Sequence, residues 1–274
     1  METKTHRGET ALITGGTYGI GLELARCCAE DGYNVILVAR SQQDLEATAQ
    51  ELTVRYGVKA YGIAADLMEP DAAYQLYQEM TEEGIQIDVL INDAAQGVWG
   101  AFTGTDLEQE LDIIQLNINS VVVLTKLFLK EMVARDSGKI LQVSSIAAKT
   151  SNPYMAVYGA TKAFIYNFTQ ALNSELKDSN VTITALLPGP TATDFFNKAG
   201  AENTVMVKET DLADPAVVAR DGYRAMQNGE TKIVSGWKNK LQLAMDSFLT
   251  DETVADMMKK QNELSDKENE HLNL

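Results

Sequence analysis

Residues 14–21 read Thr-Gly-Gly-Thr-Tyr-Gly-Ile-Gly, and this glycine-rich stretch decides the fold. The apolar run Thr10 to Thr14 leads into it, and a segment with helical spacing begins at Gly19. Between a strand and a helix, glycines let the backbone approach a pyrophosphate, and free amides at the helix start attract its negative charge. The stretch therefore predicts a dinucleotide site, with a tight turn whose glycines serve only packing as the alternative.

Outward from this turn, short apolar runs alternate with segments of helical spacing. Strands that alternate with helices pair in parallel, and nearly all-apolar strands are covered on both faces. The predicted fold class is α/β, a doubly wound parallel sheet in three αβα layers, over one domain from residue 1 to 274. The further runs are Asn34 to Ala39, Ala60 to Ala64, Val89 to Asn92, Lys139 to Ser144, Val181 to Leu187 and Lys232 to Val234. Helices are expected to begin near Gly19, Gln43, Asp71, Leu107, Val157 and Pro215.

Composition limits the partners. The net charge of −16 repels phosphate backbones and anionic lipids, which argues against nucleic acid and membrane partners. Because Cys27 and Cys28 are adjacent, they cannot form a disulfide bond that joins distant segments or a spaced set of metal ligands, and no metal site is predicted. We expect a reduced, cytoplasmic setting, with no signal peptide and no run long enough to span a bilayer. After Gly236 the chain becomes charged, which predicts a helical tail over 237–274 that frays.

The ends of the second and third strands bear on the choice of cofactor. Where an NAD-selective site usually places a carboxylate, this chain has Ala39 followed by Arg40, whose guanidinium can hold a 2′-phosphate. This favours NADP(H), with NAD(H) and a merely solvated arginine as the alternatives. Asp66 stands where it could meet an adenine amino group, or it could cap the next helix.

One tyrosine is paired with a lysine. Tyr158 and Lys162 are four residues apart on a segment with helical spacing, so both side chains share one face. Work near neutrality needs the tyrosine pKa, ordinarily about 10, to fall by about three. A cation about 4 Å away supplies roughly the energy required. Ser144-Ser145 ends a strand at the sheet edge where this pair is expected, which predicts a shared cleft.

Taken together, these residues resemble the motifs of a known enzyme family. In order and spacing, the chain from about Glu9 to Gly236 resembles the classical short-chain dehydrogenase/reductase (SDR) family. The resemblance implies a Rossmann-type domain with a seven-stranded sheet and an oxidoreductase that moves a hydride between NADP(H) and a carbonyl or alcohol substrate. The motifs are Thr14 to Gly21, Asn92-Asp93-Ala94-Ala95, Asn117, Ser145, Tyr158 with Lys162, and Pro188-Gly189 with Thr193.

The resemblance also implies a catalytic tetrad of Asn117, Ser145, Tyr158 and Lys162. The family serine lies thirteen residues before the tyrosine, which selects Ser145 over Ser144. Tyr158 would act as general acid or base, Ser145 would bond the reacting oxygen, and Lys162 would lower the tyrosine pKa and hold the ribose. Asn117 would position a water, although without the family spacing an ordinary helix asparagine is preferred.

Other residues are expected around the ligands. Residues 191–214 would form a lid over the substrate, or a solvated loop with two packed aromatics. The predicted pocket residues are Trp99, Tyr154 and Phe195, although buried aromatics more often serve a core. The predicted cofactor-binding set is Gly15, Thr17, Tyr18, Gly19, Ile20, Arg40, Asp66, Leu67, Asn92, Ala94, Tyr158, Lys162, Pro188, Gly189, Thr191 and Thr193.

The chain departs from the family after the fourth strand, where Asp93 and Ala95 replace an asparagine and a glycine. We expect altered cofactor packing rather than lost activity. The resemblance also implies a homodimer or homotetramer, for which the apolar run Val121 to Leu129 could serve as interface. The alternatives are a non-catalytic NAD(P)-binding sensor or scaffold, and an epimerase or dehydratase on the same fold.

Overall fold

A computed structural model describes residues 6–265. Its centre is a seven-stranded sheet in the order β3-β2-β1-β4-β5-β6-β7, with every neighbouring pair parallel. This confirms the predicted doubly wound α/β class. The strands are β1 (Thr10–Thr14), β2 (Asn34–Ala39), β3 (Ala60–Ala64), β4 (Val89–Asn92), β5 (Lys139–Val143), β6 (Thr182–Leu187) and β7 (Lys232–Val234).

Helices cover both faces of the sheet, as nearly all-apolar strands require. On one face α1, α2 and α9 pack around a cluster that includes Leu24, Leu45 and Val218. On the other face α3 and α5 pack around Leu76 and Phe128, with α6 beside them. The helices are α1 (Gly19–Glu30), α2 (Gln42–Tyr56), α3 (Ala72–Glu82), α4 (Leu107–Ile114), α5 (Ser120–Ala134), α6 (Ala156–Glu175), α7 (Phe195–Ala199), α8 (Val205–Glu209), α9 (Pro215–Gln227), α10 (Trp237–Asp246) and α11 (Asp251–Asn262).

Two local features stand beside the sheet edge. A π-helical turn at Gln115–Asn119 joins α4 to α5, and a 3-10 turn at Ile146–Lys149 follows β5. π turns occur often at functional sites because the extra residue redirects a side chain. Because the π turn joins α4 directly to α5, Leu107–Ala134 is one continuous helical run. By length and composition this run could cross a membrane, whereas we expected no run long enough to do so. Its buried residues pack in the core, and core helices meet the same criterion.

The segment after β6 and the segment after β7 both contain helices. The region 191–214 contains α7 and α8, and Phe196 and Ala199 are buried in it. The tail forms α10 and α11, with Val254, Met258 and Asn262 of α11 buried. The described part of the tail is thus helical and α11 lies beside α8, while the fraying of the tail stays a prediction. The end of the tail, residues 266–274, lies outside the described residues.

Candidate active site

A single large cleft runs along the carboxyl ends of the central strands. Its volume is about 1650 Å³. Ligand pockets usually enclose about 300–1,000 Å³, so there is room for a dinucleotide and a second molecule. The glycine-rich turn, the Ser145 and Tyr158 region and the segment with α7 and α8 all line it, and Lys198 of α7 lies 5.3 Å from the centre of the Tyr18 ring.

The glycine-rich turn fits a pyrophosphate. Gly15 and Gly19 have φ of +72° and +56°, and an added Cβ would lie 3.0 Å from the Cα of Ala94 and 2.8 Å from Thr193, respectively. Tyr18, the N-cap of α1, supplies no side-chain hydrogen bond to the first turn of the helix. The backbone is thus open at a helix start, where amides and the helix dipole favour negative charge. By this test the residues present fit a dinucleotide.

The predicted adenosine end carries charges of both signs. Arg40 follows β2, is exposed and lines the cleft, as do Tyr18 and Asp44. The carboxylate of Asp44 raises the pKa of the Tyr18 hydroxyl. The exposed guanidinium of Arg40 is thus accessible to an anion in the cleft, and the carboxylate of Asp44 opposes a negative charge nearby.

Asp66 lies at the cleft after β3. Its Oδ1 accepts the backbone N–H of Met68 at 3.0 Å, which stabilises a local turn. It does not cap a long helix, because α3 starts later with Asp71 as its N-cap. Leu67 lines the cleft while packing into the core on that side.

Ser145 and Tyr158 are the predicted serine and tyrosine of the site. Ser145 follows β5, where its Oγ accepts the N–H of Ala147 at 3.1 Å, and Ser145 and Tyr158 both line the cleft. The Tyr158 ring lies 4.9 Å from the ring of Phe195, centroid to centroid. Both hydroxyls are thus fixed where a bound carbonyl oxygen could accept from them.

Lys162 lies one turn further along α6 and is 5% exposed. Its Nζ donates to the carbonyl oxygen of Val143 at 2.9 Å and lies 5.8 Å from the centre of the Tyr158 ring. Ser144 donates to the Lys162 carbonyl at 2.8 Å, which is the structural role expected for the other serine. The lysine is thereby anchored to β5 from two sides.

The expected lowering of the Tyr158 pKa by Lys162 is not found. Burial raises the pKa of Tyr158 to about 12, the negative charge of Asp93 adds to this, and the Ser145 hydroxyl opposes it. Burial lowers the pKa of Lys162, and the charge of Asp93 opposes that change. The Lys162 ammonium donates to the Val143 carbonyl, and the sequence argument included neither the burial of the two groups nor Asp93.

Asn117 lies in the π-helical turn and is 2% exposed. Its Oδ1 accepts the N–H of Gln96 at 3.0 Å, and its Nδ2 donates to the Gln96 carbonyl at 2.9 Å and to Thr161 Oγ1 at 3.0 Å. The side chain thus joins the loop after β4 to α6. It does not line the cleft, and its amide bonds to these protein partners, so its role in positioning a water stays a prediction.

Asn92 lies in the core rather than in the cleft. Its Nδ2 donates to Thr125 Oγ1 and to Gln142 Oε1 at 3.2 and 3.1 Å, and the residue is 4% exposed. Its side chain therefore does not fit the predicted cofactor contact, because it faces α5 and β5. Ala94, two residues on, does line the cleft.

The segment after β6 completes the cofactor side. Thr191 donates to the Gly189 carbonyl at 2.8 Å, and Thr193 contacts the space above Gly19. The structure thus brings most of the predicted cofactor set to one cleft. The members that line it are Gly15, Thr17, Tyr18, Gly19, Ile20, Arg40, Asp66, Leu67, Ala94, Tyr158, Lys162, Pro188, Gly189, Thr191 and Thr193.

The substrate end has apolar walls. Phe195, Phe196 and Met155 line it, with Met206 of α8 and Met258 of α11. Of the predicted pocket residues, Phe195 is therefore in place. Trp99 and Tyr154 stand behind the wall instead, with ring centroids 6.1 Å apart.

Sequence reasoning missed α11 as part of this wall. The indole Nε1 of Trp99 donates to the Asn262 carbonyl at 2.7 Å, and Asn262 Nδ2 donates to the Pro153 carbonyl at 2.8 Å. Gln261 and Asn262 line the cleft with Met258. The helical spacing of Val254 and Met258 was the available signal, but nothing local indicates what that face covers.

Comparisons with known proteins agree with the fold and the cleft described above. Residues 9–204 match the model of a family described as short chain dehydrogenase. The chain is 31% identical over 233 residues to "Ketoacyl reductase HetN" of Nostoc, covering 84% of this chain and 79% of that protein. It is 31% identical over 195 residues to the 3-oxoacyl-[acyl-carrier-protein] reductase FabG of Aquifex aeolicus, covering 71% and 78%. A solved short-chain dehydrogenase of Sphingobium yanoikuyae in complex with NADPH superposes with a TM-score of 0.78 at 27% identity, covering 88% of this chain and 94% of the other.

Proposed function

The chain belongs to the short chain dehydrogenase family of oxidoreductases, and on that premise we propose that it reduces a carbonyl group with NADPH, using Tyr158 as the proton donor. The placement of Tyr158 and Ser145 in the same cleft, with the buried ammonium of Lys162 5.8 Å from the centre of the Tyr158 ring, carries the proposal. A phenol, a hydroxyl and a cation in one part of a dinucleotide-sized cleft match the needs of proton transfer to a developing alkoxide.

The chemistry divides between cofactor and protein. A bound nicotinamide supplies the hydride. Tyr158 gives its proton to the carbonyl oxygen, Ser145 donates a hydrogen bond to the same oxygen, and Lys162 stabilises the tyrosinate that remains. Because burial raises the pKa of Tyr158 to about 12, this hydroxyl is protonated at neutral pH, as reduction requires.

Residues of the cleft would hold the dinucleotide. The start of α1 would take the pyrophosphate, Lys162 the ribose hydroxyls beside the nicotinamide, and Thr193 its carboxamide. Asp66 would face the adenine. Asn117 would act by position, since its side chain joins the loop after β4 to α6.

The preference for NADP(H) is tested at Arg40. Arg40→Ala is expected to lower kcat/KM for NADPH by about 10–100-fold and to change that for NADH by less than about threefold, because a charge-assisted pair with the 2′-phosphate is lost. Initial rates with both cofactors measure this. Arg55→Ala removes a guanidinium at the far end of α2 and serves as the control. An unchanged ratio between the two cofactors in Arg40→Ala would make the assignment wrong.

The substrate is proposed to be a ketone or aldehyde with an apolar body. The methionine and phenylalanine walls support this, and two similar proteins are named ketoacyl reductases. We expect NADPH oxidation with 3-oxoacyl thioesters and with apolar ketones, and a higher kcat/KM for an apolar ketone than for a polar one of the same size.

A panel of such compounds, followed by NADPH absorbance, tests the function itself. NADPH that binds but is not oxidised by any compound would favour the non-catalytic sensor. Tight retention of the dinucleotide with conversion of a substrate but no net redox change would favour an epimerase or dehydratase.

Three further statements are part of the proposal. The segment 191–214 acts as the substrate lid, and α11 with its end at Asn262 closes the same side. The protein forms a homodimer or homotetramer, tested by light scattering. Its setting is cytoplasmic, tested by fractionation of the cells that make it.

A further inference from the structure

Asn262, at the end of α11, joins two loops that are far apart in the chain. Its backbone carbonyl accepts the indole Nε1–H of Trp99 at 2.7 Å, and its side-chain Nδ2 donates to the Pro153 carbonyl at 2.8 Å. The residue is 3% exposed, so both bonds are shielded from water. Loop 97–100, after β4, and loop 152–155, before α6, are thus held to one residue of α11.

The two loops are also bonded to each other and to the end of α7. The backbone N–H of Gly100 donates to the Tyr154 carbonyl at 2.9 Å, and that of Trp99 donates to the Ala199 carbonyl at 2.8 Å. In a buried network of this kind each bond strengthens the others. Asn262 therefore completes a network of contacts around the substrate end of the cleft.

Both loops lie against the ring of Tyr158. A Cβ added to Gly97 would be 3.4 Å from Tyr158 Cδ2. The same point is 3.0 Å from Met155 Cε and 3.0 Å from Phe195 Cζ, so the backbone of loop 97–100 leaves no room for a side chain there. Met155 is the N-cap of α6, three residues before Tyr158. A shift of either loop would therefore move groups that surround the Tyr158 ring.

Tyr154 gives loop 152–155 a reason to shift. Its φ is +65°, in the left-handed region that residues other than glycine seldom adopt. Such a conformation persists only where the surrounding structure fixes it. The Gly100 bond to the Tyr154 carbonyl and the Asn262 bond to the Pro153 carbonyl hold the backbone on both sides of this φ angle. Without the Asn262 amide, the peptide between Pro153 and Tyr154 can turn toward an ordinary conformation and carry Met155 with it.

We propose that Asn262 is a positioning residue for the reaction: by bonding Trp99 and Pro153 at once, it fixes the two loops, and with them the ring of Tyr158 and the apolar wall beside it. This inference rests on the proposed function. The proposed pyrophosphate and 2′-phosphate contacts lie at the start of α1 and after β2, outside these loops. Reduction of the ketone should thus depend on Asn262, whereas binding of NADPH should not.

Hydrogen exchange in the ligand-free protein tests the bonds without any turnover. Asn262→Ala removes the side-chain amide and leaves the backbone carbonyl that Trp99 uses. The chain has two tryptophans, and Trp237→Phe assigns their indole N–H signals in NMR spectra. We expect the Trp99 indole N–H to exchange about five- to thirtyfold faster in Asn262→Ala, because opening no longer breaks the bond to Pro153. Unchanged exchange would overturn the proposal.

Kinetics separate positioning from a merely structural role. In Asn262→Ala we expect kcat/KM for the best ketone of the panel to fall about 5–30-fold, since small displacements of reacting groups slow a reaction strongly. The Kd for NADPH should change less than twofold. A structural role alone would lower the midpoint of urea unfolding and leave the folded enzyme fully active. That result, or equal losses for ketone and NADPH, would overturn the proposal.

Asn167→Ala is the matched control. It removes an exposed asparagine of α6, whose Nδ2 donates to the Ala163 carbonyl at 3.0 Å within the same helix. Exchange of the Trp99 indole N–H, kcat/KM for the ketone and the Kd for NADPH should all remain as in the wild type.

Tyr154→Asn tests the strained backbone, because asparagine adopts a positive φ more readily than tyrosine. In this background, adding Asn262→Ala should lower kcat/KM less than about threefold, and an undiminished loss would overturn the proposal. The exchange measurement also distinguishes the two proposals. Faster exchange in Asn262→Ala of a protein that reduces no compound would sink the proposed function alone, whereas unchanged exchange in an active reductase would sink the role of Asn262 alone.

Discussion

Tyr158→Phe is expected to lower kcat for carbonyl reduction by about 10²–10⁴-fold, with the fold and the affinity for NADPH retained. The substitution removes one hydroxyl, whose partner is Ser145, and leaves the ring that packs 4.9 Å from Phe195. Kinetics with the best substrate of the panel measure kcat. Protein fluorescence on addition of NADPH measures binding.

The matched control for this variant lies on the same helix. Tyr166 is 7% exposed, two turns further along α6 and near Lys149. Its conversion to Phe removes an equivalent buried hydroxyl outside the cleft and should change kcat less than about threefold. If Tyr158→Phe reduces the substrate as fast as the wild type, the hydroxyl is not the proton donor, and a sensor or another catalytic group must be considered.

Lys162→Met is expected to lower kcat/KM by about 10²–10⁴-fold, because no cation remains to stabilise the tyrosinate or to hold the ribose. Methionine keeps most of the buried chain length. The change also leaves the Val143 carbonyl without the Lys162 donor, which should cost about 1–3 kcal/mol of unfolding free energy. Urea unfolding measures this cost.

The control for Lys162→Met is an exposed lysine. Lys126→Met removes an exposed lysine from α5 and should alter neither quantity. Wild-type activity in Lys162→Met would contradict the assigned role.

The sheet could be predicted in detail because its information is local. Strands such as β2 and β4 are short apolar runs bounded by polar residues, and their predicted bounds agree with the structure. Helices α1 and α4 begin where the apolar spacing predicted. The placement of most predicted cofactor residues follows from topology, since parallel strands bring their carboxyl ends to one edge.

The remainder depends on contacts between distant segments. No local pattern indicates that Asn117 lies in a π turn bonded to Gln96, or that the amide of Asn92 faces Gln142. The arrangement of α7, α8 and α11 also depends on contacts between distant segments. The hydrogen bond from Trp99 to Asn262, which lie 163 residues apart in the chain, is an example. A helix-face pattern shows which side is buried but not what covers it.

The tyrosine–lysine pair shows a second limit of sequence reasoning. Spacing alone placed both side chains on one face of α6 and predicted a lowered tyrosine pKa. It could not give the depth of burial, which raises the pKa of Tyr158, nor the effect of Asp93, the acid that follows β4, on the pKa of both groups. Electrostatic effects in a buried site depend on all charges present.

Deuterium transfer from NADPH dideuterated at C4 of the nicotinamide is the most direct measurement, made with the best ketone of the panel in ordinary water. The predicted product carries one deuterium on the carbinol carbon, and Tyr158→Phe forms at least about 10²-fold less of it in the same time. A carbinol hydrogen taken from water, or bound NADPH with no alcohol formed, would contradict hydride transfer at this site.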